Sequence, residues 1–104
     1  MIVQIVDLMN SDRDKKRFKV MLNDGRTYNF GLKGASTYLD HHNKDKRRAY
    51  WRRHFNNPLE KHLISTLTPS PALFSASLLW GPFTNIHKNI KHLNEVFKKE
   101  NITI

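Results

Sequence analysis

The chain has 104 residues, enough for one domain with a modest core and too few for two. Apolar residues make up 38% and charged residues 26%, and 18 Lys and Arg against 9 Asp and Glu give a net charge of +9, which favours an acidic partner such as nucleic acid, an anionic membrane surface or an acidic protein face. Cysteine is absent, which excludes disulfides and thiolate metal sites.

The N-terminal third predicts an antiparallel β-meander. Its first segment, Ile2–Leu8, is rich in β-branched residues and apolar on both faces, which indicates a strand covered on two sides rather than an edge facing water. This apolar run is too short for a signal peptide or a membrane span, so we expect a soluble, unexported chain. The polar residues 10–17 predict a solvated loop, and two further strands are expected at Phe18–Leu22 and Thr27–Leu32.

The turn between the second and third strands has the sequence Asn-Asp-Gly and ends at Gly25. A two-residue loop would place a lysine opposite an aromatic ring. A three-residue loop with Gly25 in a left-handed bulge pairs Val20 with Tyr28 and Phe18 with Phe30, which gathers the apolar side chains on one face. We therefore predict the three-residue loop.

Past the third strand the pattern becomes helical. Gly31 and Gly34 are expected to break the strand and to turn the chain away from the sheet. Asn43 predicts the cap of a helix that runs from Lys44 to about Phe55. The polar side of this helix is almost entirely basic, whereas its aromatic residues form the side expected to pack inward: Tyr50, Trp51, His54 and Phe55.

The remaining segments predict two long helices and a tail. A short helical turn is expected within Leu59–Leu67, followed by a helix over Pro71–Trp80 with Ser70 as its cap. That helix is apolar nearly all round and should be the most buried element. The last helix, capped by Thr84, carries apolar residues from Phe83 to Phe97 at three- and four-residue spacing. The tail, residues 101–104, has β-type residues without an evident partner.

These elements define an α+β fold in a single domain, residues 1–104. A three-stranded antiparallel β-meander occupies residues 1–32, and a helical part at residues 33–100 covers it with about three helices.

No pattern for catalysis or metal binding emerges. The adjacent His41 and His42 cannot easily share one ion, and His87 and His92 lie off a common helix face. The acidic residues are few and mostly fall in turns or caps, and no nucleophile elbow, phosphate loop or carboxylate pair is present. We expect no enzyme activity, no cofactor, no metal and no small-molecule substrate.

The basic helix is the candidate binding site. The residues expected to contact a partner are Lys44, Lys46, Arg47, Arg48, Trp51, Arg52 and Arg53. Cations beside Tyr50 and Trp51 could grip phosphates and stack on bases, as single-strand binders do. The same arginines suit the carboxylates of a neighbouring protein, and a charge run is also common on a merely solvated face. The motif alone does not separate these uses.

A set of residues spread over roughly residues 28–98 resembles a known family. The set comprises Phe30-Gly31-x-Lys33-Gly34, Tyr38, His41 or His42, Asp45, Arg48, Tyr50, Arg53-His54, Leu78-Leu79-Trp80 and Thr84. It resembles an uncharacterised family of short basic proteins found in large eukaryotic double-stranded DNA viruses, in particular the chlorella viruses and their relatives. The resemblance implies viral origin and a place in the virion, without an established activity or catalytic residue.

Two functions are therefore expected. The first is a non-enzymatic minor structural protein that cements or bridges capsid subunits, located in the virion and, during assembly, in the host cytoplasm or nucleus. The alternative is a nucleic-acid-binding virion or replication protein that acts through the basic helix, residues 44–55.

Overall fold

The computed structural model describes residues 1–104 and has the predicted α+β architecture. Its antiparallel sheet has the order β1-β2-β3, with the strands β1 Ile5–Asn10, β2 Lys16–Leu22 and β3 Thr27–Leu32. The helices that follow are α1 Tyr38–His41, α2 Lys44–Phe55, α3 Pro58–Ser65, α4 Pro71–Phe74, a π-helix Ser75–Leu79 and α5 Ile86–Lys99. The helical part thus contains more elements than the predicted three. None of the helices is both long and apolar enough to cross a membrane.

The β2–β3 hairpin confirms the predicted three-residue loop. Val20 pairs with Tyr28 and Phe18 with Phe30, as expected from the apolar pattern. Gly25 adopts a φ of +89°, a left-handed conformation in which glycine avoids the steric cost of a side chain. The turn residue and the side-chain pattern therefore specify the same register.

The prediction for the first strand was wrong in two respects. Strand β1 begins at Ile5 rather than Ile2, and it lies at an edge of the sheet, where Val6 is 52% exposed. The pairing register shifts between Ile5 and Asp7, as in a β-bulge, and this disturbs the simple alternation of faces. A run of β-branched residues indicates an extended backbone but does not fix what covers it.

The C-terminal tail has a partner, contrary to the prediction. The backbone N–H of Val3 donates to the carbonyl of Ile102 at 2.9 Å, and Ile2 forms an antiparallel bridge with Thr103. The side chain of Asn94 on α5 both donates to and accepts from the backbone of Ile5. The chain before β1 is therefore attached to the C-terminus and to α5.

The main core lies between the sheet and the helices α4, π and α5. Its eleven buried residues are Val3, Ile5, Val20, Leu22, Phe30, Leu73, Phe74, Leu78, Leu79, Leu93 and Phe97.

The sequence suggested that Gly31 breaks the third strand, but Gly31 lies within β3, which continues to Leu32. Its φ is +78°, and a Cβ atom there would lie 2.9 Å from Cδ1 of Leu79. Glycine at this position thus allows the π-helix to approach the strand closely.

The predicted helix over Pro71–Trp80 exists but is not a uniform α-helix. Ser70 caps it by accepting from the N–H of Leu73 at 3.2 Å, with Pro71 in the first turn, as predicted. After Phe74 the chain continues as a π-helix. It is the most buried helical segment, as expected, and because it is apolar nearly all round its sequence carries no periodicity that distinguishes the two helix types.

The helices on either side of this segment also differ from the prediction. Helix α3 is a full helix from Pro58 to Ser65, since Asn57 accepts from the N–H groups of its first turn. Helix α5 is capped by Asn85 rather than Thr84, and Phe83 lies outside it with 44% exposure.

Candidate partner-binding surface

Helix α2 has the bounds predicted from its cap. The side-chain oxygen of Asn43 accepts from the N–H groups of Asp45 at 3.0 Å and Lys46 at 3.1 Å. These bonds satisfy two of the N–H groups that lack a partner within the first turn. The helix has little apolar surface of its own, so its attachment depends on a few aromatic residues.

Helix α2 is attached through stacked rings. The rings of Tyr50 and Trp80 are nearly parallel, at 7°, with centroids 4.4 Å apart, and the ring of His54 lies 4.0 Å from Tyr50. His54 also contacts a second side chain, since its Nδ1 atom lies 2.5 Å from a carboxylate oxygen of Glu60. Burial and, to a lesser extent, the charge of Glu60 raise the pKa of the Tyr50 hydroxyl well above its ordinary value. Tyr50 and His54 therefore pack inward, as predicted.

The backbone at Trp80 and Gly81 forms a second attachment point. The carbonyl of Trp80 accepts from Nε1 of Trp51 at 2.8 Å and from Nε of Arg47 at 2.9 Å. The same Nε atom lies 2.9 Å from the carbonyl of Gly81. Of the seven predicted contact residues, Arg47 and Trp51 are thus half-buried and contribute to holding α2 in place.

The other five predicted residues are exposed on the outer face of α2, namely Lys44, Lys46, Arg48, Arg52 and Arg53. Arg48 pairs with Asp45 three residues earlier. The remaining four form no salt bridge within the chain, although the guanidinium of Arg53 lies 6.0 Å from the centroid of the Tyr50 ring. We call these four cations the basic face. It is available to bind an anionic partner.

Beside the basic face lies an apolar pocket that the sequence did not predict. Its volume is about 280 Å³, and its walls come from α2, the C-terminal end of α3, α4, the π-helix and α5. Arg47 and Trp51 line both this pocket and a shallower groove of about 470 Å³ that also contacts Arg48 and Arg52. The lining residues are far apart in sequence, and no local pattern marks them as a set.

A larger cleft of about 640 Å³ lies elsewhere, between the N-terminal segment and α5. Its charged lining mixes Lys91 and Lys98 with Glu95, and it contains none of the predicted contact residues. We therefore do not include it in the candidate surface.

Two of the histidines have hydrogen-bond partners within the fold. His54 pairs with Glu60, and Nδ1 of His41 accepts from the N–H of Asn43 at 2.9 Å. No group of three or more His, Cys, Asp or Glu side chains is placed to hold a metal ion.

The fold and this surface define a small basic α+β protein with a cationic face beside an apolar pocket. The sequence model of a family described as "Family of unknown function (DUF5754)" matches residues 6–54. The chain is similar to that family over nearly the whole sheet, α1 and nearly all of α2, a range that includes all seven predicted contact residues. No curated protein and no solved structure matches the chain.

Proposed function

We propose that this protein is a non-enzymatic minor structural protein of a large double-stranded DNA virus, which cements or bridges capsid subunits through α2. The observation that carries the proposal is the basic face, four exposed cations without a salt-bridge partner in the chain, on a helix whose opposite side is fixed to Trp80. The proposed viral origin rests on the family resemblance of the sequence alone, and with it goes a proposed location in the virion and, during assembly, in the host cytoplasm or nucleus.

The attachment of α2 supports a protein partner. Tyr50 is buried against Trp80, and Trp51 is half-buried with its indole N–H already bonded to a carbonyl. The Tyr50 ring therefore offers no free face of the kind on which single-strand binders stack successive bases. The arginines that remain exposed suit carboxylates as well as phosphates, because the planar guanidinium can donate two parallel hydrogen bonds to either group.

Purified virions provide the direct test. We expect the protein to be present in a fixed ratio to the capsid subunits, and to bind purified capsid protein in pull-down experiments. The double variant Arg52→Gln and Arg53→Gln should lose this binding. The variant Lys98→Gln and Lys99→Gln removes the same charge from exposed residues of α5 and should retain it. A protein that is absent from the particle, or that accompanies only the extracted genome, contradicts the proposal.

Nucleic-acid binding is the second candidate, favoured by the net charge of +9 together with the basic face. Binding to duplex and single-stranded DNA should be measured over a range of salt concentrations. Tight binding whose affinity falls steeply with salt, by a slope of about 0.9 per phosphate contact on duplex DNA, supports this candidate. Weak binding at physiological salt argues against this candidate and leaves the capsid role standing.

A further inference from the structure

On the basis of the proposed protein partner, we infer that the pocket beside α2 binds one large apolar side chain of an acidic protein segment. Carboxylates that flank this side chain would contact Arg48 and Arg52, which line the adjoining groove. The site would thus recognise an apolar residue that is flanked by acidic residues.

The size and lining of the pocket suit a single side chain. Its volume of about 280 Å³ is at the lower limit of small-molecule sites, which span about 300–1,000 Å³. The buried Ile64, Leu73 and Leu93 contribute to the lining, and the half-buried Trp51, Leu67 and Val96 complete the apolar wall. An apolar group that enters such a cavity and displaces water from it makes a large favourable contribution to the free energy of binding.

One wall residue has an unfavourable backbone conformation. Leu67 follows the end of α3 with a φ of +54°, and the N–H groups of Leu67 and Thr68 bond back to the carbonyls of Ile64 and Leu63. This is the helix ending in which glycine or asparagine is favoured. The corresponding position after α5 is indeed an asparagine, Asn101, which also has a φ of +54°.

A leucine in this conformation is less stable than a glycine, because its Cβ atom crowds the neighbouring backbone. Its side chain packs against the core and forms part of the pocket wall. The chain therefore keeps an apolar side chain, which forms part of the pocket wall, at a position where the backbone conformation favours glycine or asparagine.

Charge selects an acidic protein segment from the possible occupants. Arg47, Arg48 and Arg52 lie around the groove next to the pocket, and only Arg48 has an acidic partner within the chain. A second copy of this chain also carries a net charge of +9, so two copies repel each other.

A synthetic peptide tests the inference. A fluorescein-labelled peptide of Glu and Asp with one central Phe should bind, as measured by fluorescence anisotropy. Replacement of the Phe by Ala should weaken binding about tenfold or more, and replacement of the acidic residues by Gln and Asn should also weaken it. Equal affinity for the Phe and Ala peptides overturns the inference.

The variant Leu67→Gly probes the pocket without straining the backbone. The substitution removes the Leu67 side chain from the pocket wall and leaves a residue that tolerates a positive φ. We expect about tenfold weaker binding of the Phe peptide and no effect on binding of the Ala peptide. Asn101→Gly is the matched control, because it makes the same kind of change after α5, and it should bind like the wild type. Unchanged binding by Leu67→Gly overturns the inference.

The remaining outcomes separate this inference from the proposed function. If capsid protein binds wild type and Leu67→Gly equally, the capsid role stands and the pocket assignment fails. If the Phe peptide binds as expected but virions lack the protein, the pocket assignment stands and the capsid role fails. Concentration-dependent dimerisation that Leu67→Gly abolishes, or single-stranded DNA binding that the same variant abolishes, assigns the pocket to another occupant and overturns the inference.

Discussion

The region formed by the sheet, α4, the π-helix and α5 and the region beneath α2 are held together by different interactions. The first shares a core of eleven buried apolar residues, whereas the second has a cluster of only three buried residues, Tyr50, Ile64 and Ala76. Helix α2 instead depends on the stacked rings and on hydrogen bonds to the backbone at Trp80. The difference separates two properties: stability is concentrated in the core, and the proposed binding face can be altered with little effect on it.

The junction between the two regions is the fully buried side chain of Asn89. Its Nδ2 atom donates to the carbonyls of Leu78 and Phe83, and its Oδ1 atom accepts from the N–H of Phe83, each at 2.9 Å. Gly81 lies against it, and a Cβ atom there would be 2.1 Å from the carbonyl oxygen of Ser77. The chain between the π-helix and α5 is therefore fixed by one side chain.

The largest effect is expected for Asn89→Leu. The substitution removes three hydrogen bonds to the backbone, one buried and two part-buried, and places an apolar side chain against the freed polar groups, so we expect the free energy of unfolding to fall by about 3–5 kcal/mol. Urea denaturation measures this loss, with the exposed Asn10→Leu as the control. A loss below about 1 kcal/mol would show that water replaces the amide and that the junction is less rigid than its hydrogen bonds indicate.

A somewhat smaller and more local effect is expected for Trp80→Ala, at about 3 kcal/mol. Because the ring packs on Tyr50, amide hydrogen exchange should show lost protection in α2 with much less change in β2 and β3. Phe83→Ala, which truncates an exposed ring, is the control. Equal loss of protection in α2 and the strands would mean that the two regions unfold together.

A comparison of two arginines on α2 separates its inner and outer sides. Arg47→Met keeps the apolar stem but removes the hydrogen bonds to the backbone carbonyls of Trp80 and Gly81, and should cost about 1–2 kcal/mol. Arg52→Met makes the same change on the exposed side and should alter stability by no more than about 0.5 kcal/mol. Thermal unfolding distinguishes the two, and similar losses would show that both residues support the fold.

The smallest effect concerns the attachment of α1 to the sheet. Arg17 donates two hydrogen bonds to Asp40, at 2.8 and 2.9 Å, and these bonds hold the pKa of Asp40 well below its ordinary value. A lowered pKa in the folded state stabilises the fold above the ordinary carboxyl pKa of about 3.9, and this stabilisation is lost as the pH falls towards the folded-state pKa.

Asp40→Asn should therefore lower stability at pH 7 by about 1 kcal/mol, a modest value because the side chain is 37% exposed and screened by solvent. The difference from wild type should shrink as the pH is lowered towards 2. Melting temperatures over this pH range provide the measurement, with the more exposed Asp12→Asn as the control. A difference that does not depend on pH would assign the effect to lost packing instead of charge.

The predictions that succeeded depended on residues close together in the chain. The cap at Asn43, the cap at Ser70 and the loop ending at Gly25 are each decided within a few residues, because a cap or turn satisfies its own backbone groups. The cap at Asn57 shows the same chemistry, and the proline that follows it could have identified α3 from the sequence.

The candidate surface was predicted in part for the same reason. The sequence places the cations of the basic face on one helix, but Arg47 is held by carbonyls more than thirty positions away. A charge on a helix does not reveal whether a distant backbone group lies within its reach. The division of α2 into an attached side and a free side therefore could not be read from its own residues.

The sequence by itself determined the β-meander, the register of its hairpin, the bounds of α2 and the excess of positive charge. Only the tertiary structure decided that β1 lies at an edge, that the tail pairs with the N-terminal segment, and that a pocket opens beside the basic face. The first group depends on local backbone preferences and side-chain alternation. The second depends on contacts between segments far apart in the chain, which take effect only when the whole core is packed.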